Sequence, residues 1–117
     1  MNKSSQISFY QRVEKDILSG KKTITIRNQV EKGFVKDSLV QASTYEDNKW
    51  FATLLVEGIE AVTFKDINEF HAKQENMSLT ELKQVIKKIY PNDNKLFVIS
   101  FTLLNEKINN YYIAGKK

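Results

Sequence analysis

Residues 20–27 read Gly-Lys-Lys-Thr-Ile-Thr-Ile-Arg, and this stretch decides how the chain is interpreted. Ile24 and Ile26 alternate with Thr25 and Arg27. At the strand period of two, the isoleucines share one face and the polar side chains share the other. The stretch is therefore predicted to be a strand whose apolar face packs on the core. Its polar face is either a solvated edge or one wall of a site.

A helix is predicted immediately before this strand, over residues 9–19. Ser8 and Gln11 have the spacing of a capping box, and Gly20 occupies the position of a helix C-terminal glycine. The helix would bury the apolar stripe formed by Val13, Ile17 and Leu18.

Three further strands are predicted downstream, over residues 38–44, 50–62 and 96–103. Residues 45–49, Tyr-Glu-Asp-Asn-Lys, separate the first two as a hairpin turn. The long middle strand contains Gly58, which is a natural point for a bend. These strands follow one another closely, which favours antiparallel pairing.

The remaining segments are predicted as a loop and two helical pieces. Residues 28–37 are polar and read as a loop, and residues 64–70 read as a short helical turn. Ser78 and Glu81 form a capping box that opens a helix over residues 79–90. Pro91 follows this helix and prevents its continuation.

The order of the elements predicts an α+β fold: a small, mostly antiparallel barrel with about three helices. The 117 residues suffice for one domain, assigned to residues 1–104. Residues 105–117 form a polar tail with scattered aromatics, which is expected to be loosely held.

Composition excludes several classes of protein. The chain is 41% hydrophobic and 11% aromatic, which suits a globular protein. No apolar run approaches the roughly 20 residues of a membrane span. The N-terminus lacks the apolar core of a signal peptide, so a cytoplasmic location is expected. The net charge of +4 would steer an anionic partner only weakly, and solubility explains it more simply.

The side chains also limit the possible chemistry. The chain has no cysteine and one histidine, His71, so thiol catalysis, a zinc site and a serine triad are all disfavoured. Hydroxyl, amine and carboxylate chemistry remains. Lys22 becomes a base if burial or a neighbouring cation lowers its pKa, and it could then activate Thr25.

A carboxylate for such a site would come from residues 71–77, His-Ala-Lys-Gln-Glu-Asn-Met. Glu75 and Asn76 are suited to hydrogen bonding an amide or a nucleobase edge. Taken alone, however, the segment is more simply a solvated connector, and His71 a structural histidine. By the same standard, residues 20–27 alone are more simply an edge strand with a polar outer face.

A resemblance to a known family favours a catalytic site over an edge strand and a solvated connector. The Gly-x-Lys-x-x-Thr-x-Arg pattern of residues 20–27 resembles the signature of the ASCH domain, a small barrel of the PUA-like superfamily. Many ASCH domains carry glutamate where this chain has Thr25. Threonine there, together with the Gln-Glu-Asn-Met block at residues 74–77, resembles the narrower branch of YqfB-type N(4)-acetylcytidine amidohydrolases. The similarity extends over roughly residues 6–103.

The resemblance implies specific roles. Lys22 would be the proton acceptor, Thr25 the nucleophile and Glu75 the proton donor in hydrolysis of an exocyclic amide. Arg27, which lies beside them in the pattern, would orient the substrate or stabilise charge. Independently of the resemblance, Asn76 is expected to contact the substrate because its amide can hydrogen bond a nucleobase edge. The implied substrate is N(4)-acetylcytidine or a related acylated cytosine, with no metal or organic cofactor and no membrane partner.

A second hypothesis remains open at this stage. PUA-like domains also include non-catalytic RNA-binding modules, in which basic and aromatic side chains contact phosphates and bases. RNA binding is compatible with the amidohydrolase hypothesis but is not required by it.

Overall fold

The computed structural model describes residues 5–29 and 34–104, apart from the side chain of residue 5. The elements in chain order are β1 (Ser5–Phe9), α1 (Glu14–Leu18), β2 (Ile24–Arg27), β3 (Leu39–Thr44), β4 (Trp50–Thr63), α2 (Glu69–Gln74), α3 (Leu79–Ile89) and β5 (Lys95–Leu103). Short 3-10 turns occupy Gln11–Val13 and Phe64–Asp66.

The five strands form one mixed sheet in the order β1-β3-β4-β5-β2. Among the described strands, the β1–β3 ladder is parallel and the other three ladders are antiparallel. The two end strands lie close together, as shown by a hydrogen bond of 2.8 Å from a guanidinium nitrogen of Arg27 in β2 to the carbonyl of Ser8 in β1. The sheet therefore curls toward closure, and the predicted α+β class with three helices is confirmed.

Two apolar clusters lie on the two faces of this sheet. The first cluster fills the interior of the curled sheet. Its buried members include Phe9, Val40, Leu54, Ile99 and Phe101. The second, between the sheet and helices α2 and α3, contains Ile24, Ile26, Leu82, Ile86 and Val98. Strand β2 therefore packs its isoleucines on the helices. Thr25 pairs in register with Ile99, which belongs to the interior cluster.

The N-terminal prediction was wrong. Residues 5–9 form strand β1, and Phe9, placed at a helix start by the sequence, is the last residue of that strand. The capping box of Ser8 and Gln11 does not form. The reason is tertiary: Ile7 and Phe9 alternate into the interior core, while the backbone pairs with β3 more than thirty residues away.

Helix α1 is shorter than predicted and is preceded by a 3-10 turn. Ile17 is fully buried, Val13 is half-buried and Leu18 is exposed, so the expected stripe is only partly buried. Gly20 has a φ of 81°, and the C-terminal glycine prediction is confirmed. Only glycine adopts this conformation without strain.

The strands predicted over residues 38–44, 50–62 and 96–103 are confirmed within one residue, whereas the strand predicted over residues 20–27 is limited to Ile24–Arg27. Residues 45–49 form the turn between β3 and β4. The β4–β5 register shifts between Val56 and Gly58, where the sequence predicts a bend. Helix α3 opens with the capping box of Ser78 and Glu81, as predicted, and ends before Pro91.

Two parts of the predicted organisation fall outside the described residues. These are residues 30–33 of the predicted loop and the tail of residues 105–117, so the domain boundary stays a prediction. No helix within the described residues is long and apolar enough to cross a membrane. The cytoplasmic location also stays a prediction.

Candidate active site

A cavity of about 380 Å³ opens where β1, β2 and α3 meet. Its polar end is formed by Lys22, Thr25, Arg27 and Glu75. The apolar wall comes from α3 and the residues at its ends, namely Met77, Leu82, Val85, Ile86, Ile89 and Tyr90. Tyr10, Arg12 and Tyr45 lie at the exposed side of the cavity. The volume lies in the range of small-molecule sites, roughly 300–1,000 Å³.

Lys22 enters the cavity because the chain turns sharply after α1. The left-handed Gly20 directs the backbone N–H groups of Lys21 and Lys22 onto the carbonyl of Asp16, at 2.9 and 3.0 Å. Lys22 is only 5% exposed, whereas Lys21 is exposed. The ammonium of Lys22 donates to the carbonyl of Ile24 at 2.8 Å and forms an ion pair with Glu75.

Glu75 caps the C-terminal end of α2 and is also 5% exposed. The backbone N–H of Thr23 donates to the carbonyl of Gln74 at 2.8 Å. This bond joins the residue after Lys22 to the residue before Glu75. The buried ion pair therefore sits between two backbone segments that are themselves hydrogen bonded.

The charge of Lys22 is disfavoured by its surroundings. Burial lowers the pKa of Lys22 from its ordinary value of 10.5; Glu75 opposes this shift, and the nearby Arg27 guanidinium adds to it. Asp16 also opposes the lowering. An amine with a lowered pKa loses its proton more readily than a solvated lysine, which is what a base in this position requires.

Thr25 and Arg27 form the second half of the polar end. Thr25 is 4% exposed, and its Oγ1 accepts a hydrogen bond from Nε of Arg27 at 2.8 Å. The hydroxyl hydrogen of Thr25 is not used in that bond. The guanidinium of Arg27 lies over the Phe9 ring, 5.2 Å from its centroid. This stacking, together with the bond to Ser8, fixes Arg27 beside the hydroxyl.

The structure thus brings Lys22, Thr25, Arg27 and Glu75 together and does not bring Asn76 to the cavity. Asn76 is exposed and has a φ of 59°, so it turns the chain after Glu75. Asparagine tolerates this left-handed conformation better than most residues.

The solvated-connector interpretation of residues 71–77 was wrong, because α2 extends through Gln74. Nδ1 of His71 accepts from the backbone N–H of Asn68 at 3.0 Å, and the Asn68 side chain caps the same helix. His71 is therefore a capping residue, which agrees with a structural role. Within the described chain, no three His, Asp or Glu side chains could hold a metal ion together.

Sequence reasoning missed several residues of this cavity. Phe9 was assigned to a helix, and Tyr10, Arg12 and Tyr45 received no role. An alternation of Ile7 and Phe9 followed by Tyr-Gln-Arg was the available signal for a strand leading into an aromatic, cationic rim.

The fold belongs to the ASCH class, as comparison with solved structures indicates. The ASCH domain from Lactobacillus crispatus superposes with a TM-score of 0.70 at 13% identity, covering 85% of this chain and 79% of that one. ASCH from Zymomonas mobilis gives a TM-score of 0.70 at 16% identity, covering 90% and 75%. These likenesses concern the fold alone.

Sequence relatives define the family more narrowly. An N(4)-acetylcytidine amidohydrolase of Haemophilus influenzae is 46% identical over 101 residues, covering 86% of this chain and 97% of the relative. One of Vibrio atlanticus is 45% identical over 104 residues, covering 89% and 100%. The chain belongs to the N(4)-acetylcytidine amidohydrolase family, as the sequence resemblance predicts. No family model matches the chain.

Proposed function

We propose that this protein hydrolyses the exocyclic amide of N(4)-acetylcytidine to cytidine and acetate. The observation that carries the proposal is the buried Lys22–Glu75 pair beside a threonine hydroxyl that accepts from Arg27. These groups supply a base, an acid and a nucleophile among the buried residues that line a ligand-sized cavity. The names of the relatives support the choice of substrate.

The ion pair supplies both proton-transfer groups through one internal step. Transfer of a proton from the Lys22 ammonium to the Glu75 carboxylate gives a neutral amine and a neutral carboxylic acid. Burial favours this neutral form, because desolvation penalises separated charges. The amine then accepts the hydroxyl proton of Thr25, and the acid is ready to donate.

In the acylation step, Oγ1 of Thr25 bonds to the acetyl carbonyl carbon as its proton moves to Lys22. The bond between that carbon and the exocyclic nitrogen then breaks, and Glu75 protonates the departing nitrogen. Cytidine leaves and an acetyl ester remains on Thr25. Water then adds to the carbonyl carbon of this ester, and the bond from that carbon to Oγ1 of Thr25 breaks. Acetate departs, one proton of the water returns to Oγ1, and the other is released.

Arg27 is the proposed electrostatic partner of this chemistry. Its Nε already donates to Oγ1 of Thr25, so the guanidinium stabilises the negative charge that develops there. Backbone amides are the other candidates for the carbonyl oxyanion. Stacking on Phe9 holds the guanidinium in place, which reduces reorganisation during the reaction.

Incubation of the purified protein with N(4)-acetylcytidine, followed by chromatography of cytidine and acetate, tests the proposal. We expect turnover by the wild type and loss of turnover in a folded Thr25→Ala variant. Equal activity in the two proteins would refute the assignment of Thr25 as the nucleophile. Absence of turnover, combined with salt-sensitive RNA binding, would instead favour the non-catalytic RNA-binding module.

A further inference from the structure

The charges around the cavity exceed what the proposed reaction needs. Among the described residues that line it, Arg12, Lys22 and Arg27 are cationic and Glu75 is acidic. Lys22 and Glu75 offset one another, and Arg27 faces the nucleophile. Arg12 has no role in the proposed hydrolysis, because N(4)-acetylcytidine carries no charge that it could offset.

Arg12 is placed to meet a ligand rather than to stabilise the fold. Its side chain is exposed, and within the described chain it forms neither an ion pair nor a hydrogen bond. Its guanidinium carbon lies 5.2 Å from the centroid of the Tyr10 ring. The carboxylate of Glu46 accepts from the backbone N–H of Gln11 at 2.9 Å and does not pair with Arg12.

The neighbouring aromatics make this rim an ordered surface. Tyr10 packs edge-on against Tyr45, with ring centroids 5.4 Å apart. The backbone N–H of Tyr45 donates to the carbonyl of Phe9 at 2.8 Å, which ties the β3–β4 turn to the end of β1. The planar guanidinium of Arg12 is thereby held over a fixed ring, which is a suitable arrangement for binding phosphate through several N–H groups.

The orientation of the substrate connects these two ends of the site. The exocyclic nitrogen and the glycosidic nitrogen lie on opposite sides of a cytosine ring. If the acetamide reaches buried Thr25 and Glu75, the ribose must point toward the exposed rim. A phosphate ester on that ribose then lies on the side of Arg12.

We infer that the site accepts phosphorylated N(4)-acetylcytidine, with the phosphate bound by Arg12, in preference to the free nucleoside. This inference rests on the proposed function and specifies its substrate class. The phosphate is either that of a mononucleotide or that of an RNA chain, and the substrates of the test separate these sources.

The test compares kcat/KM for four substrates: N(4)-acetylcytidine, its 5′-monophosphate, its 3′-monophosphate and a short RNA containing one internal acetylcytidine. We expect roughly a tenfold preference for a phosphorylated substrate, the size of one charge-assisted contact at a partly exposed site. The preference should weaken with added salt. A gain limited to one monophosphate indicates a mononucleotide, and a gain limited to RNA indicates a phosphodiester.

Arg12→Gln should reduce the preference to about twofold or less, and Arg12→Lys should retain part of it, because charge survives without the planar fork. Lys15→Gln is the matched control: it removes one exposed positive charge from the adjacent helix, away from the cavity lining, and should keep the full preference. A wild-type preference that is absent, or that persists in Arg12→Gln, overturns the inference.

A binding measurement separates this inference from the proposed function. By calorimetry, cytidine 5′- or 3′-monophosphate should bind the wild type about tenfold more tightly than cytidine does, and Arg12→Gln should remove the difference. This result does not depend on turnover. Failure of hydrolysis with retained phosphate preference would refute the reaction alone, and hydrolysis with equal binding would refute the role of Arg12 alone.

Discussion

Nζ of Lys22 contacts Oε1 of Glu75, although 53 residues separate them in the chain. Both residues are only 5% exposed, so each charge depends on the other. Coulomb attraction between them competes with a desolvation cost of several kcal/mol per ion. Desolvation therefore weakens the preference for the ionic form and brings the neutral form within reach of the reaction. That balance is what a combined base and acid requires.

Replacement of Thr25 tests the nucleophile directly. Thr25→Ala should lower kcat by at least about a thousandfold, because no hydroxyl remains to form the acyl ester. Thr25→Ser should retain measurable activity, because it keeps the hydroxyl. Thr23→Ala is the matched control, since Thr23 lies outside the cavity lining and, among the described residues, only its backbone is hydrogen bonded. Steady-state release of acetate measures all three variants, and a fully active, folded Thr25→Ala protein would disprove the assignment.

The two adjacent lysines provide an internal comparison. Lys22→Met should abolish turnover and lower the free energy of unfolding by about 3 kcal/mol near neutral pH, because Glu75 is left buried without a counter-charge. Lys21→Met should change neither property, because Lys21 is exposed and outside the cavity. Denaturant unfolding and acetate release give the two readouts, and equal effects of the two substitutions would contradict the proposed pair.

The pH dependence of kcat/KM follows from the number of protons on the Lys22–Glu75 pair. The active form holds one proton, which the two groups share, and activity falls in alkali when the pair loses that proton. Because burial lowers the pKa of Lys22, the alkaline limb should lie below 10.5. Activity that continues to rise through that value would contradict the scheme.

The local features of this fold could be read from sequence because they depend on neighbouring residues. The capping box of Ser78 and Glu81, the left-handed Gly20 and the turn at residues 45–49 are each specified within a few positions. Strand β1 could not be read in the same way. Its pairing with β3 is parallel and distant, and residues 8–11 offered a competing helix signal that tertiary packing overrides.

In the candidate active site, too, local features could be predicted from the sequence and contacts between distant segments could not. The pattern of residues 20–27 identified a strand with polar side chains, but it gave no reason to expect that Thr25 faces the interior of a curled sheet. Only the resemblance linked that strand to Glu75. The physical link is the backbone bond between Thr23 and Gln74, a contact that no periodicity encodes. The position of the exposed rim, formed by Tyr10, Arg12 and Tyr45, depends on strand β1. Because the sequence did not predict β1, it did not predict this rim.

Arg27 should be sensitive even to a conservative change. Arg27→Lys keeps a positive charge but cannot donate to both Oγ1 of Thr25 and the carbonyl of Ser8 in the same geometry. We expect kcat to fall roughly 10²-fold, the effect of removing one electrostatic donor, with a smaller change in KM. The free energy of unfolding should fall by about 1 kcal/mol, because one bond between β1 and β2 is lost. An unchanged kcat in Arg27→Lys would show that Arg27 has no role in the reaction.

Asn76 tests whether the turn after α2 positions Glu75. Its φ of 59° costs roughly 1–2 kcal/mol for an ordinary residue, so Asn76→Ala should destabilise the turn and displace the Glu75 carboxylate, whereas Asn76→Gly should be tolerated. Asp37→Ala is the matched control, because Asp37 also has a positive φ, of 73°, but lies outside the cavity lining. The two alanine variants should lose similar stability, but only Asn76→Ala should lower kcat, and it should also shift the pH profile. If Asn76→Gly is as impaired as Asn76→Ala, the amide side chain itself contacts the substrate, as its hydrogen-bonding capacity predicts. If both keep full kcat, the turn has no part in placing Glu75.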